Sequence, residues 1–262
     1  MVRTYLLLAW TWMRASAQYP VSFALMTLGS FTLTGLDVAG IWIIFEHTES
    51  LGGFGLFEVM FLYGTSGLSF ALADMLFGNV ERLSQHVRAG SFDTMLIRPT
   101  GAFVQMATDR FGVQRLGRIA QAALVLGISL PRLDLSWSRM WMVPLMVACG
   151  LVIFTSIFAL GGALQFLLTD APEVANAFTY GGSTLTQYPL SIYGGELVKG
   201  VTFIVPLAFV NWQPALYVLD REDPFGLPYW LRFVAPVAAV LLAVAAALAW
   251  RAGIRRYRST GS

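Results

Sequence analysis

Two carboxylates lie within apolar stretches of the sequence, where they could carry chemistry inside a membrane. Asp37 falls in the apolar run that begins at Pro20, and Asp74 lies near the end of the next run. A charged side chain at the centre of a span costs about 2.5 to 3.5 kcal/mol on insertion scales, so such an acid usually faces a bundle interior or a cavity. Asp37 therefore indicates either a substrate contact or a structural pair, and for Asp74 the sequence favours pairing with an arginine such as Arg82.

The sequence lacks the common motifs of nucleotide-binding and hydrolytic sites. Its one lysine, Lys199, lies between Val198 and Gly200, so the chain contains no G-K-[ST] phosphate loop. The H-E-x-x-H and G-x-S-x-G motifs are absent as well. Any nucleotide hydrolysis must therefore come from another chain.

Metal and nucleic-acid sites have little support in the sequence. The single cysteine, Cys149, excludes a disulfide within the chain, and the two histidines, His47 and His86, are far apart, whereas zinc usually takes three or four Cys, His or acidic ligands. The net charge is only +2, and the arginines cluster beside apolar runs. We expect no metal or cofactor in this chain and no nucleic acid as a partner.

The composition indicates an all-α polytopic membrane protein. Of the 262 residues 56% are hydrophobic and 12% are charged, whereas soluble domains contain roughly 25% charged residues. A spanning helix needs about 20 apolar residues. The sequence predicts one transmembrane domain over 1–262, with spans at 20–45, 54–77, 111–130, 140–168, 200–219 and 231–250.

The most polar long stretch, Gly78 to Gly101, predicts two short helices at a membrane surface. Asn79 can cap the first helix, where Val80, Leu83 and Val87 share one face by their i, i+3, i+7 spacing. Glu81 lies in the first turn, where the helix dipole favours an acid. A solvated loop between two spans is the alternative interpretation.

The second short helix of this stretch follows a glycine. Gly90 ends the first helix, and Ser91 can cap the next one, which has Asp93 in its first turn. Arg98 and Pro99 end it, because a proline and the residue before it disfavour helix.

The first 19 residues predict an amphipathic helix on the cytoplasmic surface. Arg3 and the motif Ala15-Ser16-Ala17 imitate a signal peptide with its cleavage site, which is the alternative. Arg14, which lies between the apolar run and that site, favours the surface helix.

Three regions deviate from simple apolar spans. Arginines precede a short apolar core in span 111–130, so this span begins among the headgroups with its arginines snorkelling. Residues 169–199 are rich in Gly, Ser, Thr and Tyr and predict cytoplasmic or interfacial helical structure, with a re-entrant segment as the alternative. Pro206 and Pro214 predict a kink or break in span 200–219.

Polar and aromatic residues in the spans are candidates for a substrate path, although such residues are more often core or lipid-facing. The candidate path residues are Asp37, Tyr63, Ser66, Phe70, Gln165 and Trp212. A row of small residues lets helices approach closely. Ala235, Ala239, Ala243 and Ala247 form such a row and predict a packing face.

Basic residues predict the orientation, because cytoplasmic loops carry an excess of Lys and Arg. With both termini inside, 13 of the 17 basic residues fall on the cytoplasmic side. The outer side then holds Arg132, Arg139, Arg221 and Arg232.

Four segments together resemble the type-2 ATP-binding-cassette (ABC-2) exporter permeases. They are RAGSFDTMLIRP (88–99), YPLSIYGG (188–195), TFIVPLAFVNWQPA (202–215) and WRAGIRRYRSTGS (250–262). The resemblance runs across nearly the whole chain. More specifically, the sequence resembles the bacterial branch of this family in which two related six-span permeases accompany one separate ATPase.

This resemblance implies an exporter in the bacterial cytoplasmic membrane. Two such permeases, identical or related, form a dimer that two ATPase subunits bind from the cytoplasm. The N-terminal helix matches the elbow helix, and Asn79 to Ala89 matches the coupling helix, braced by Gly90 to Pro99. Glu81, Arg82 and Arg88 are expected to contact the ATPase, while Leu83 and Val87 hold the helix to its own bundle. The cargo is expected to be lipophilic or amphipathic, such as a drug, a viologen-like cation or a lipid.

Two other classes of function stay open from the residues alone. A proton-coupled secondary transporter would use Asp37 as a relay. An intramembrane enzyme would need Asp37 and Asp74 to cooperate, which their predicted depths in the membrane oppose.

Overall fold

A computed structural model describes residues 2–109, 112, 115–168 and 172–257 of the chain. These residues form α-helices joined by turns and short 3-10 segments, and the described part contains no β-strand. The α-helices are α1 Val2–Ala17, α2 Pro20–His47, α3 Leu56–Phe77, α4 Leu83–Arg88, α5 Ser91–Leu96, α6 Ala102–Thr108, α7 Leu116–Ser129, α8 Met142–Leu164, α9 Pro172–Thr186, α10 Gly195–Phe203, α11 Trp212–Val218 and α12 Ala235–Arg256.

Four helical segments among the described residues are long and apolar enough to cross a membrane. They are Pro20–His47, Leu56–Arg88, Trp137–Leu164 and Ala235–Arg256. A fifth candidate is the pair Gly195–Phe203 and Leu207–Val218, which is bent by 78°. The predicted all-α membrane fold is confirmed, whereas the count of six spans stays a prediction.

Helix α3 is the centre of the bundle. It packs against α7 and α8, and α8 packs in turn against α12. Gly64 permits the contact with α7, because a Cβ atom there would lie 2.9 Å from the backbone nitrogen of Leu126. Helix α2 lies at the periphery: 6% of its apolar window is buried, against 72% for the segment that contains α3.

The third predicted span, 111–130, corresponds to a shorter helix. Helix α7 has 14 residues and is about 21 Å long at 1.5 Å per residue. Arg115 and Arg118 lie at its first turns, and part of the predicted start falls outside the described residues.

The cytoplasmic or interfacial location of 169–199 stays a prediction, and residues 169–171 lie outside the described part of the chain, but the contacts of residues 172–199 favour a path along α3. In the middle of α9, the Thr179 hydroxyl donates to the carboxylate of Glu81, which follows α3. Beyond the end of α9, the Ser191 hydroxyl donates to the Gly52 carbonyl at 2.7 Å, in the loop that precedes α3. The chain from Thr179 to Ser191, which includes the second half of α9, therefore runs along α3 from one end to the other. The sequence does not predict this path, because the polar residues of α9 resemble those of an exposed segment although they form hydrogen bonds with other helices.

The predicted span at 200–219 is broken between α10 and α11. Helix α10 ends before Pro206, because proline has no backbone N–H to donate to a helical hydrogen bond. The Asn211 side chain fixes the start of α11 by donating to the carbonyls of Leu62 at 3.0 Å and Thr186 at 2.7 Å. Pro214 is tolerated, because it lies in the first turn of α11.

The location of α9 and α10 also changes the charge count. Lys199 belongs to α10, which follows the Ser191 contact. With the predicted orientation of α2 and α3, Lys199 moves to the outer side and leaves 12 of the 17 basic residues inside.

The alanine row of α12, predicted to pack against another helix, is buried in its first half. Ala235 and Ala239 are buried, Ala243 is partly buried, and Ala247 is exposed while Ala246 is buried. A row spaced by four residues drifts by about 40° per step on a helix of 3.6 residues per turn. The buried stripe therefore passes to Ala246 near the end of the row.

The N-terminal helix α1 packs at one end of the bundle. Ala9 is buried, while Leu6 and Trp10 on other faces are more than half exposed. The Tyr5 hydroxyl donates to the Leu76 carbonyl at 2.8 Å, so α1 is attached to the last turn of α3.

Candidate functional site

The stretch Gly78–Pro99, here the surface segment, folds as three short helical pieces. A 3-10 turn at Gly78–Arg82 continues from α3 and leads into α4, and Gly90 separates α4 from α5 with a φ of 66°. This left-handed conformation suits glycine and explains why the first helix ends there.

Neither predicted helix cap is present. Because the chain runs from α3 into the 3-10 turn without an extended residue, Asn79 is buried and directs its amide to the Ala107 carbonyl at 3.4 Å. Gly90 occupies the capping position of α5, so Ser91 is the first helical residue and its hydroxyl contacts His86.

The apolar side of the surface segment is buried as the spacing predicts. Val80, Leu83 and Phe92 are fully covered, and Val87 is 7% exposed. They share a cluster with α6, Ala163 and Trp250. The surface segment therefore packs as one unit against the ends of the long helices.

A single side chain clamps the start of α4. Gln165, just after α8, accepts the backbone N–H of Ser84 at 2.7 Å and donates to the carbonyl of Glu81 at 2.9 Å. Its amide thereby satisfies backbone groups at a helix start. The role of Gln165 in a substrate path stays a prediction, which this arrangement does not favour because both polar atoms of its amide bind the surface segment.

Two further ties were missed from the sequence. His86 bonds to Ser91 through Nδ1 at 2.9 Å and to Asp109 through Nε2 at 3.1 Å. The Gln105 amide donates to the carbonyls of Met95 at 2.8 Å and Thr100 at 2.6 Å. Their partners lie 5 to 23 residues away, and no local spacing pattern reports such contacts.

Glu81 points into the bundle, and this orientation does not favour the expected contact with an ATPase. Its carboxylate accepts the Thr179 hydroxyl of α9 at 2.7 Å. In a 3-10 turn, residues three apart share a side, which puts Glu81 on the side of buried Ser84. The α-helical spacing assumed from the sequence at this position placed Glu81 on the outward side.

The opposite side of the surface segment is open. Its exposed residues combine positive charge with apolar surface, and Ile97 is 85% exposed. Asp93 is partly buried. The exposed set consists of Arg82, Gln85, Arg88, Ala89, Thr94, Leu96, Ile97, Arg98 and Pro99.

A second candidate site is a polar cavity of about 230 Å³ between α2, α3, α7 and α9. Three predicted path residues, Asp37, Tyr63 and Phe70, line it. The Tyr63 hydroxyl donates to the Thr34 carbonyl at 3.1 Å. The other polar residues of the wall are Arg118, Gln121, Tyr180, Ser183, Thr184 and Gln187.

An adjoining cavity of about 440 Å³ contains the second carboxylate. Asp74 is 1% exposed and pairs with Arg115 at 3.1 Å and Arg118 at 3.4 Å. The predicted pair with Arg82 is absent, because Arg82 lies on the open side of the surface segment. Thr34, Arg118 and Tyr180 line both cavities, so the two form one polar cleft.

Two predicted path residues do not line the cleft. Ser66 lies 2.6 Å from the Thr186 hydroxyl and joins α3 to α9. Trp212 is 1% exposed and packs against Phe54 with ring centroids 5.2 Å apart. Both serve the core.

Ion pairs near the starts of α3 and α8 and after α11 lie apart from this site. Arg139 bonds to Asp220 at 2.6 Å, and its guanidinium lowers the pKa of the Asp220 carboxyl. Arg221 binds the Glu58 carboxylate through two nitrogens at 2.8 and 2.9 Å. Among the described residues, no group of three His, Cys, Asp or Glu could hold a metal ion.

The comparison with known families decides the identity of the bundle. The sequence model of the family described as "ABC-2 family transporter protein" matches residues 31–261. The chain belongs to the ABC-2 transporter family. No curated protein and no solved structure matches the chain significantly.

Membership confirms the family that the four motifs indicated. An ABC-2 permease is a membrane transport subunit rather than a catalytic enzyme, and such permeases generally work with ATPase subunits. The two carboxylates of this ABC-2 transporter also occupy different ends of the cleft, and Asp74 is paired with two arginines.

Proposed function

We propose that this ABC-2 transporter is the membrane-spanning permease subunit of an ATP-driven exporter and that the open side of its surface segment binds a separate ATPase. The observation that carries the proposal is the contrast between the two sides of this segment. One side is locked to the bundle by Leu83, Val87 and the Gln165 clamp, while the other presents arginines and Ile97 to solvent. A rigid segment of this kind transmits displacement without absorbing it.

The route from this segment to the cleft runs through α9. Glu81 bonds to Thr179, and the next residues along α9, Tyr180 and Ser183, line the cleft. Movement of the surface segment therefore shifts a wall of the cavity. Nucleotide drives the change only if the ATPase binds one permease conformation more tightly than the other.

The complete exporter would contain two ATPase copies, which hold ATP and Mg²⁺, and a second permease that is identical or related. In our topology α2, α3, α7, α8, α9 and α12 cross the bacterial cytoplasmic membrane, with both termini inside, and α10 and α11 form a re-entrant pair. Weak burial of α2 supports this assembly, because its apolar side is available to a second permease or to lipid. The cargo is a lipophilic or amphipathic compound taken from the cytoplasm or the inner leaflet.

Copurification followed by mass spectrometry tests the proposal. The tagged full-length chain should recover an ATPase and a permease partner from its native membrane. Arg88→Glu combined with Ile97→Asp should reduce ATPase recovery at least about tenfold, since each removes roughly 1 kcal/mol or more at an interface. Asp134→Asn, on an exposed outer loop, is the control and should recover the full complex. Equal recovery of the ATPase by all variants would exclude this surface.

A further inference from the structure

The polar cleft extends over about three turns of α3. Its lining includes Tyr63 and Asp74, which are 11 residues apart on α3 and therefore separated by about 16 Å along the helix. Asp37 lies at the end with Tyr63, and the Asp74 pair lies at the other end. Arg118 lines both cavities between them.

One buried donor in the cleft has no partner. Gln121 is 4% exposed and lines the cavity, yet its Nε2 makes no hydrogen bond within the described part of the chain. The Tyr63 hydroxyl oxygen lies near this amide and could accept from it, but the two groups do not reach hydrogen-bonding geometry, and the Tyr63 proton is donated to the Thr34 carbonyl. A buried amide left without a partner is costly, so the site favours a ligand that brings an acceptor oxygen.

The charges around Gln121 have both signs. Asp74 faces two guanidinium groups, those of Arg115 and Arg118, which leaves a net positive charge on the arginine side. Asp37 supplies a negative charge on the opposite side of the same cavity. A purely cationic ligand would meet Arg118, and a purely anionic one would meet Asp37. The arrangement fits a ligand that carries a cation and an anion together.

The cleft borders an apolar surface that suits a hydrocarbon chain. Met26 and Leu33 of α2 line its larger cavity, and they are 58% and 68% exposed. A ligand with its polar group in the cleft can therefore leave its apolar part along α2.

We infer that the cleft binds the zwitterionic headgroup of a phospholipid, with the phosphate at Arg118 and Gln121 and the ammonium at Asp37. This inference rests on the proposed transport function and names the class of amphipathic ligand that the cleft takes. It separates that class from lipophilic cations, which the arginine side disfavours.

Native mass spectrometry of the full-length chain in detergent micelles tests the inference without nucleotide or ATPase. Three dioleoyl lipids are titrated: phosphatidylethanolamine, which is zwitterionic, phosphatidylglycerol, which is anionic, and a trimethylammonium lipid, which is cationic. The wild type should bind phosphatidylethanolamine most tightly. Asp37→Asn should weaken this binding about tenfold, the magnitude of one lost charge-assisted hydrogen bond, and shift the preference to phosphatidylglycerol.

Two more variants and one control separate charge recognition from general damage. Arg118→Gln should shift the preference to the cationic lipid. Gln121→Leu should weaken both phosphate lipids and leave the cationic lipid unchanged. Asp134→Asn removes the same charge as Asp37→Asn at an exposed loop and should bind like the wild type. If Arg118→Gln fails to fold because Arg118 also contacts Asp74, the shift in Asp37→Asn still decides.

Three outcomes would overturn the inference. They are equal binding of the three lipids by the wild type, equal behaviour of Asp37→Asn and Asp134→Asn, and full competition by glycerophosphoethanolamine, which would identify a soluble zwitterion instead of a lipid. Loss of ATPase recovery in the copurification experiment would leave the lipid titration unaffected, so the failures of the two proposals are distinguishable.

Discussion

The Gln165 side chain accepts the backbone N–H of Ser84 at 2.7 Å and donates to the backbone carbonyl of Glu81 at 2.9 Å. Gln165 is 3% exposed and Ser84 is 3% exposed, so both bonds are shielded from water. One residue at the end of α8 thereby fixes the start of the surface segment.

Gln165→Leu should loosen this segment, because it leaves two buried backbone groups without partners at a cost of about 1 to 3 kcal/mol each. We expect faster hydrogen exchange at Ser84 and its neighbours, with little change in the centre of α3. Gln85→Leu, an exposed residue of α4, is the matched control. Unchanged exchange at Ser84 in Gln165→Leu would refute the clamp.

The hydrogen bond that Thr179 donates to Glu81 should be needed for coupling between cargo and ATP hydrolysis, but not for binding of the ATPase to the permease. Thr179→Val removes the hydroxyl donor, whereas Thr179→Ser keeps it, so only the valine variant should lose stimulation of ATP hydrolysis by cargo. Both variants should still recover the ATPase, because the open side of the segment is unchanged. Normal stimulation in Thr179→Val would exclude α9 as the route.

The local part of the site could be predicted from the sequence, and the long-range part could not. The burial of Leu83 and Val87 and the end of α4 at Gly90 follow from spacing and backbone preference within one segment. The direction of Glu81 depends on a 3-10 turn, and Gln165 acts on residues more than 80 positions earlier. Neither contact leaves a periodic signal.

The path of α9 escaped prediction for a related reason. Hydropathy identifies spans that face lipid or an apolar core, but α9 carries Thr179, Ser183 and Thr186, which face other helices. Ser66 and Glu81 satisfy two of them. A polar helix inside a bundle therefore resembles a loop by composition.

Gly162 should be intolerant of a single added methyl group. A Cβ atom there would lie 2.7 Å from Val80 and 3.1 Å from Trp250, and overpacking of this kind typically costs about 1 to 3 kcal/mol. We expect Gly162→Ala to lower the midpoint of thermal unfolding in detergent. Gly127→Ala, where nothing lies within 4 Å, should leave it unchanged or raise it, since alanine favours helix by up to about 1 kcal/mol. Equal shifts would contradict this packing.

Asp74→Asn should be strongly destabilising, while Arg82→Gln should not. Removing the carboxylate leaves Arg115 and Arg118 uncompensated in a largely buried site, and breaking such a pair typically costs about 3 kcal/mol. Arg82 is exposed, so its loss should have little effect on the unfolding midpoint. A larger effect of Arg82→Gln than of Asp74→Asn would instead support the Asp74–Arg82 pair that the sequence suggested.

Cysteine labelling in intact cells should distinguish a membrane-crossing α9 from a cytoplasmic one. In a Cys149→Ala background, Glu196→Cys places a thiol at the start of α10, after the Ser191 contact, where the Glu196 side chain is 90% exposed. Arg98→Cys marks the exposed end of the surface segment. Because Thr179 contacts the surface segment and Ser191 contacts the loop at Gly52, the two thiols should lie on opposite sides. A membrane-impermeant maleimide should label Glu196→Cys in intact cells and Arg98→Cys only after lysis. Labelling of both from the same side would refute the crossing, whereas the reverse pattern would keep it and invert the orientation.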